Sequence, residues 1–94
     1  MHTYMNSNSY VIVLNVDQDV ADSTVRRIVY KKPSGATGYW PAMLRGLLEI
    51  YYLIQENDLD EAGKWELQAY VETPGWSLYG EKAYLDVEAN IEAS

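Results

Sequence analysis

Few residues in this chain could do covalent or acid–base chemistry: one imidazole, fourteen carboxylates and no thiol. The imidazole, His2, lies in a polar N-terminal stretch with no partner close by in sequence. A hydrolytic triad needs a nucleophile and an orienting carboxylate around its histidine, and a histidine metal site needs further ligands. Neither can be assembled around His2. Without cysteine there are no disulfides, no thiolate nucleophile and no common structural zinc site. Carboxylates occur in clusters at Asp17, Asp19 and Asp22, at Asp58 and Asp60, and at Glu61 and Glu66. The first cluster has the look of a calcium loop, but it lacks the turn glycine and the closing glutamate that such loops require. The segment Asn57–Asp60 has the donors for calcium in a loop, yet aspartates there more commonly cap their own backbone turns. Gly35, Gly38, Gly75 and Gly80 stand in turn contexts and form no phosphate cradle. The expectation is no catalytic residue, no metal and no cofactor.

Charge narrows the partners. The net charge is −7, divided unevenly: Met1 to Leu47 holds five basic and three acidic residues (+2), and Leu48 to Ser94 holds two basic and eleven acidic (−9). An acidic surface repels phosphate, which argues against nucleic acid. Arg26, Arg27, Lys31 and Lys32 form the one basic cluster. Strand alternation divides them between two faces, so they are expected to pair with carboxylates of the second half, in the same copy or a neighbouring one. No apolar run is long enough to span a membrane, and no secretory signal pattern opens the sequence.

What remains for function is aromatic. The chain has nine Tyr, three Trp and no Phe. These side chains join a large apolar body to one polar tip and serve cores and contact surfaces alike. Tyr39, Trp40, Trp76 and Tyr79 lie beside turns, where binding residues gather. They are the candidate partner-binding residues, for a protein or a sugar ring. The alternative for Trp40 and Trp76 is that they close the ends of the core.

The elements that must position these residues are strands. Ninety-four residues make one domain with a modest core. Residues 1–9 read as an N-terminal arm, 10–88 as the domain and 89–94 as an acidic tail. Tyr10–Val16 and Thr24–Lys32 are β-rich runs, and in the second Arg26, Ile28 and Tyr30 share one face while Val25 and Val29 share the other. Pro33–Gly38 is turn chemistry, after which a strand resumes at Tyr39. Residues 41–55 are ambiguous. Leu44, Leu47, Leu48 and Tyr51 have helical spacing after Pro41, which predicts one short helix. Gly46 and the β-prone segment Glu49–Gln55 predict instead two strands flanking the glycine, and the surrounding chain favours these. From Lys64 to Glu72 the alternation is strict, with Trp65, Leu67, Ala69 and Val71 on one face. Thr73–Gly75 turns the chain into a last strand, Gly80–Val87, with Ala83, Leu85 and Val87 inward. Six to seven short antiparallel strands predict an all-β sandwich of immunoglobulin-like type.

In that fold the chain enters its sixth strand through a corner carrying an acidic residue, a small residue and an anchoring aromatic. Asp60–Trp65 has this order, with a tryptophan in the aromatic place and a spacing one residue off the common form. Together with Tyr30–Gly38, Trp40, Ile50 with Tyr51 or Tyr52, Asp58–Val71, and Gly75, Trp76, Gly80 and Glu81, it resembles a family of small tailed-phage proteins. That family is similar to the N-terminal immunoglobulin-like domain of upper baseplate proteins. The resemblance runs from Val11 to Val87 and departs at Met43–Leu48, which is longer and more apolar than a plain hairpin. It implies a bacteriophage virion structural protein, present in several copies or as a homo-oligomer and bound to other phage structural proteins at tail, baseplate or head surface. Because no long C-terminal extension is present to carry receptor-binding modules, a freestanding subunit rather than an adaptor is expected. Two other readings compete with it. One is an acidic DNA mimic that blocks a host defence enzyme, motivated by the −9 of the second half. The other is a carbohydrate-binding module resting on the loop aromatics.

Overall fold

The computed structural model describes residues 2–4 and 10–89; these described residues form strands and turns and no helix. The strands are β1 (His2–Tyr4), β2 (Val11–Asn15), β3 (Val25–Lys31), β4 (Thr37–Pro41), β5 (Met43–Arg45), β6 (Glu49–Leu53), β7 (Gly63–Glu72) and β8 (Ser77–Glu88). Two sheets form, ordered β1-β8-β7-β3-β4 and β2-β6-β5. The seven strands β2 to β8 pair antiparallel, and they make the expected sandwich. With β2 to β8 read as B, C, C′, D, E, F and G, the sheets are B-E-D against G-F-C-C′, the immunoglobulin arrangement. Of the expected arm, only residues 2–4 are described. They pair in parallel with the end of β8, His2 opposite Asp86 and Tyr4 opposite Glu88. Apart from Ala89, the expected tail lies outside the described residues.

Residues 41–55 resolve in favour of strands. Gly46, at φ +65°, turns β5 into β6, and the two pair with Leu44 opposite Ile50. A left-handed turn residue cannot sit inside a helix, so the leucine spacing that mimics one has no structural consequence. Between β4 and β5 the chain changes sheet at Ala42, whose N–H donates to the Arg26 carbonyl. This closes one side of the sandwich with continuous chain.

The core follows the alternation of β7. Trp65, Leu67, Ala69 and Val71 are buried together with Ile12, Leu14, Ile28, Ile50, Leu85 and Val87. Trp65 is the anchor of the corner. It is fully buried, and its indole N–H donates to the Glu61 carbonyl at 3.0 Å. Its ring stacks on Trp40 (centroids 6.0 Å apart) and meets Tyr30 at 5.4 Å. The corner is also tied to the β3–β4 turn. Lys32 Nζ lies 2.9 Å from each oxygen of Asp60, and Glu61 accepts from the Ser34 N–H and hydroxyl at 3.1 and 2.9 Å. Here a basic residue of the first half pairs with an acidic one of the second, within one copy.

Candidate functional site

Most polar groups that looked chemically promising are committed to holding loops. Asp58 Oδ2 accepts from the Tyr52 hydroxyl at 2.8 Å and from the Gln55 N–H at 2.7 Å. Burial of the Tyr52 phenol, then its hydrogen bond to Asp58, pushes its pKa up to about 12. With Asp60 on Lys32, the carboxylates of Asp58 and Asp60 are both taken up in locking the corner. In the other aspartate cluster, Asn15 Oδ1 accepts from the Asp17 N–H, and Asp19 Oδ1 from the Ala21 N–H. These are side chains capping their own turns. Arg26 turns toward the chain interior and donates to the Ser23 carbonyl and hydroxyl, both at 3.0 Å. Among the described residues no three His, Asp or Glu side chains gather in a way that could hold a metal.

The four candidate aromatics separate. Trp40 is only 5 % exposed, in register with buried Ile28, and it stacks face to face on Tyr52 with centroids 5.3 Å apart. It is a core residue and not a partner-binding one. Trp76 is part-exposed at the tip of the β7–β8 hairpin, where Thr73 Oγ1 accepts from its N–H and from that of Gly75. No ring contact joins it to the other candidates. Tyr39 and Tyr79, in contrast, are brought to one surface although they lie on β4 and β8, at opposite sides of β3 and β7.

That surface is the outer face of the larger sheet. Tyr79 lies opposite Tyr70 with ring centroids 4.7 Å apart; Tyr70 is opposite Arg27; and the Arg27 guanidinium covers the Tyr39 ring at 4.4 Å. Three tyrosines and an arginine thus cross four strands as one row, with Val29 and Thr37 completing a shallow groove of about 310 Å³. Tyr39 is 52 % exposed and Tyr79 60 %. Arg27 makes no ion pair with a carboxylate of the described residues. The Tyr70 hydroxyl donates to Glu72 at 2.6 Å, and this bond, aided by desolvation, raises its pKa. Around the row the face is charged but mixed: Lys31 lies opposite Glu66 and Lys64 opposite Asp86. An aromatic and arginine centre inside a mixed polar rim is the composition of a protein contact surface.

A second surface is absent from the sequence reading. The outer face of the smaller sheet presents Val11, Val13, Met43, Tyr51 and Leu53, with Val11 opposite Leu53, Val13 opposite Tyr51 and Met43 opposite Tyr51. Its signal was in the sequence. Val11–Leu14 and Ile50–Ile54 are continuous apolar runs, whereas β7 alternates. A continuous run marks a strand that is apolar on both faces.

No protein-family model matches the chain, and no curated protein matches it.

Proposed function

We propose that the chain is a multicopy structural subunit of a tailed-phage virion that works by protein–protein contact, without catalysis, through the Tyr39–Arg27–Tyr70–Tyr79 row. The observation that carries the contact role is the convergence of that row on one exposed sheet face, with an arginine that has no carboxylate partner among the described residues. The virion setting rests on the resemblance of the turn and core motifs between Val11 and Val87. Arginine and tyrosine are enriched among the few residues that carry most of the binding energy of protein interfaces. The mixed rim weighs against the DNA mimic. Such an inhibitor needs a continuous carboxylate ridge, and lysines break this one. With Trp40 in the core, the sugar-binding reading loses one of its two tryptophans.

The test is proteomic. Mass spectrometry of purified intact particles of the phage that encodes the chain should detect it in many copies. Its absence from intact particles refutes the reading.

A further inference from the structure

The aliphatic outer face of the smaller sheet plays no part in the proposed function and is too apolar to be an ordinary solvated surface. Met43 is 61 % exposed, Val11 45 % and Leu53 43 %, with Val13 and Tyr51 partly exposed between them. Together they present on the order of 400 Å² of contiguous apolar surface, the size at which a patch on a monomer is commonly an interaction site. No described element covers it.

We propose that this face docks on the same face of a second copy of the chain, the two smaller sheets packing against each other about a two-fold axis.

Two observations select a second copy. The first is charge. In a chain of net charge −7, this face carries only Arg45 and Glu49, which pair with each other at 3.8 Å at one end. A strongly charged partner gains nothing here, whereas two like-charged copies approach with least repulsion over a neutral face. The second is shape. Met43, the most exposed side chain of the patch, borders an apolar groove of about 450 Å³ formed with Pro41, Ala42, Tyr51, Leu53 and Gln55. Knob and groove side by side are self-complementary: a two-fold axis sends each Met43 into the groove of the other copy, and the contact closes at two. Methionine, unbranched and polarizable, is suited to such a fit. Area sets the strength of the contact. A stable dimer buries about 800 Å² per partner. This apolar patch is about half of that, so the isolated dimer is weak, with a Kd on the order of 10 µM to 1 mM. It becomes persistent only where a second contact holds the copies together.

Sedimentation of the full chain from about 10 µM to about 1 mM tests this across the expected Kd. The wild type should pass from monomer to dimer and stop there. Met43→Glu, an exposed position whose fold can be checked by circular dichroism, should weaken association at least tenfold. Tyr84→Ser, an exposed position on β8 of the other sheet and outside the tyrosine row, should leave it unchanged. Raising salt from roughly 50 to 500 mM should not weaken the dimer, because no charge pair crosses it. The proposal is overturned by a chain that stays monomeric at about 1 mM, since some other occupant would then own the face. It is equally overturned by Met43→Glu associating as wild type, by loss of the dimer in Tyr84→Ser, or by growth into open polymers. None of these results depends on the virion setting.

Discussion

Truncating Trp65 to alanine removes the corner anchor, and the structure fixes how much that should cost. The side chain is fully buried, its ring meets Trp40 and Tyr30, and its N–H satisfies the Glu61 carbonyl. Loss of a buried tryptophan costs about 3–5 kcal/mol, and two aromatic neighbours place this one near the upper end. A 94-residue domain has about 5–14 kcal/mol in total, so Trp65→Ala should remove a third or more of the stability. Trp65→Phe separates the contributions. It keeps a ring against Trp40 and Tyr30 but leaves the Glu61 carbonyl without its donor, at about 1 kcal/mol for the hydrogen bond and about 1 more for the smaller ring. Urea unfolding followed by far-ultraviolet circular dichroism reads both without relying on the fluorophore removed. With a slope of about 1–3 kcal/mol per molar, the alanine midpoint should fall by about 2 M or more and the phenylalanine midpoint by about 1 M. An alanine variant within about 0.5 M of wild type would refute the assignment of Trp65 as the anchor.

Other outcomes follow from single positions. Gly63 has φ +129°, and a Cβ there would lie 2.7 Å from Pro33 Cγ, so Gly63→Ala should lower the melting temperature by about 8 °C or more. Gly46→Ala, at φ +65° in open space, should cost only about 1 kcal/mol; equal losses in thermal melts would contradict the steric argument. Tyr52 ionises at about 12 when folded against 10.0 when free, so folding favours its neutral form. That contribution is complete below pH 10 and is lost as pH rises from 10 toward 12. Tyr52→Phe should therefore delete a phenol that ionises at about 12 from an alkaline absorbance titration, and a curve whose alkaline end is unchanged would contradict this. The double variant Tyr39→Ala, Tyr79→Ala should unfold within about 1 kcal/mol of wild type, since both rings are more than half exposed.

The legible parts of the fold were those where one physical rule acted alone. Strict alternation located β7 and its inward residues, and Gly46 marked the division between β5 and β6 because only a glycine turns there without strain. The same alternation bears on Trp40. Tyr39 and Trp40 are adjacent on one strand and must face opposite ways, so only one of them could be a surface residue. The row Tyr39–Arg27–Tyr70–Tyr79 was not legible, because two strand pairs far apart in sequence, β3–β4 and β7–β8, contribute to it and only the register of β3 against β7 brings them together. The parallel pairing of β1 with β8 was hidden for a related reason: three polar residues carry no periodicity, and their place is set by the open edge they meet.

The measurement that bears most directly on the contact role is the copy number of the chain per purified particle, wild type against Tyr39→Ala, Tyr79→Ala, by quantitative mass spectrometry. The account predicts many copies for the wild type and at least a tenfold loss for the folded double variant. Equal incorporation of the two, or no wild-type copies at all, would contradict it.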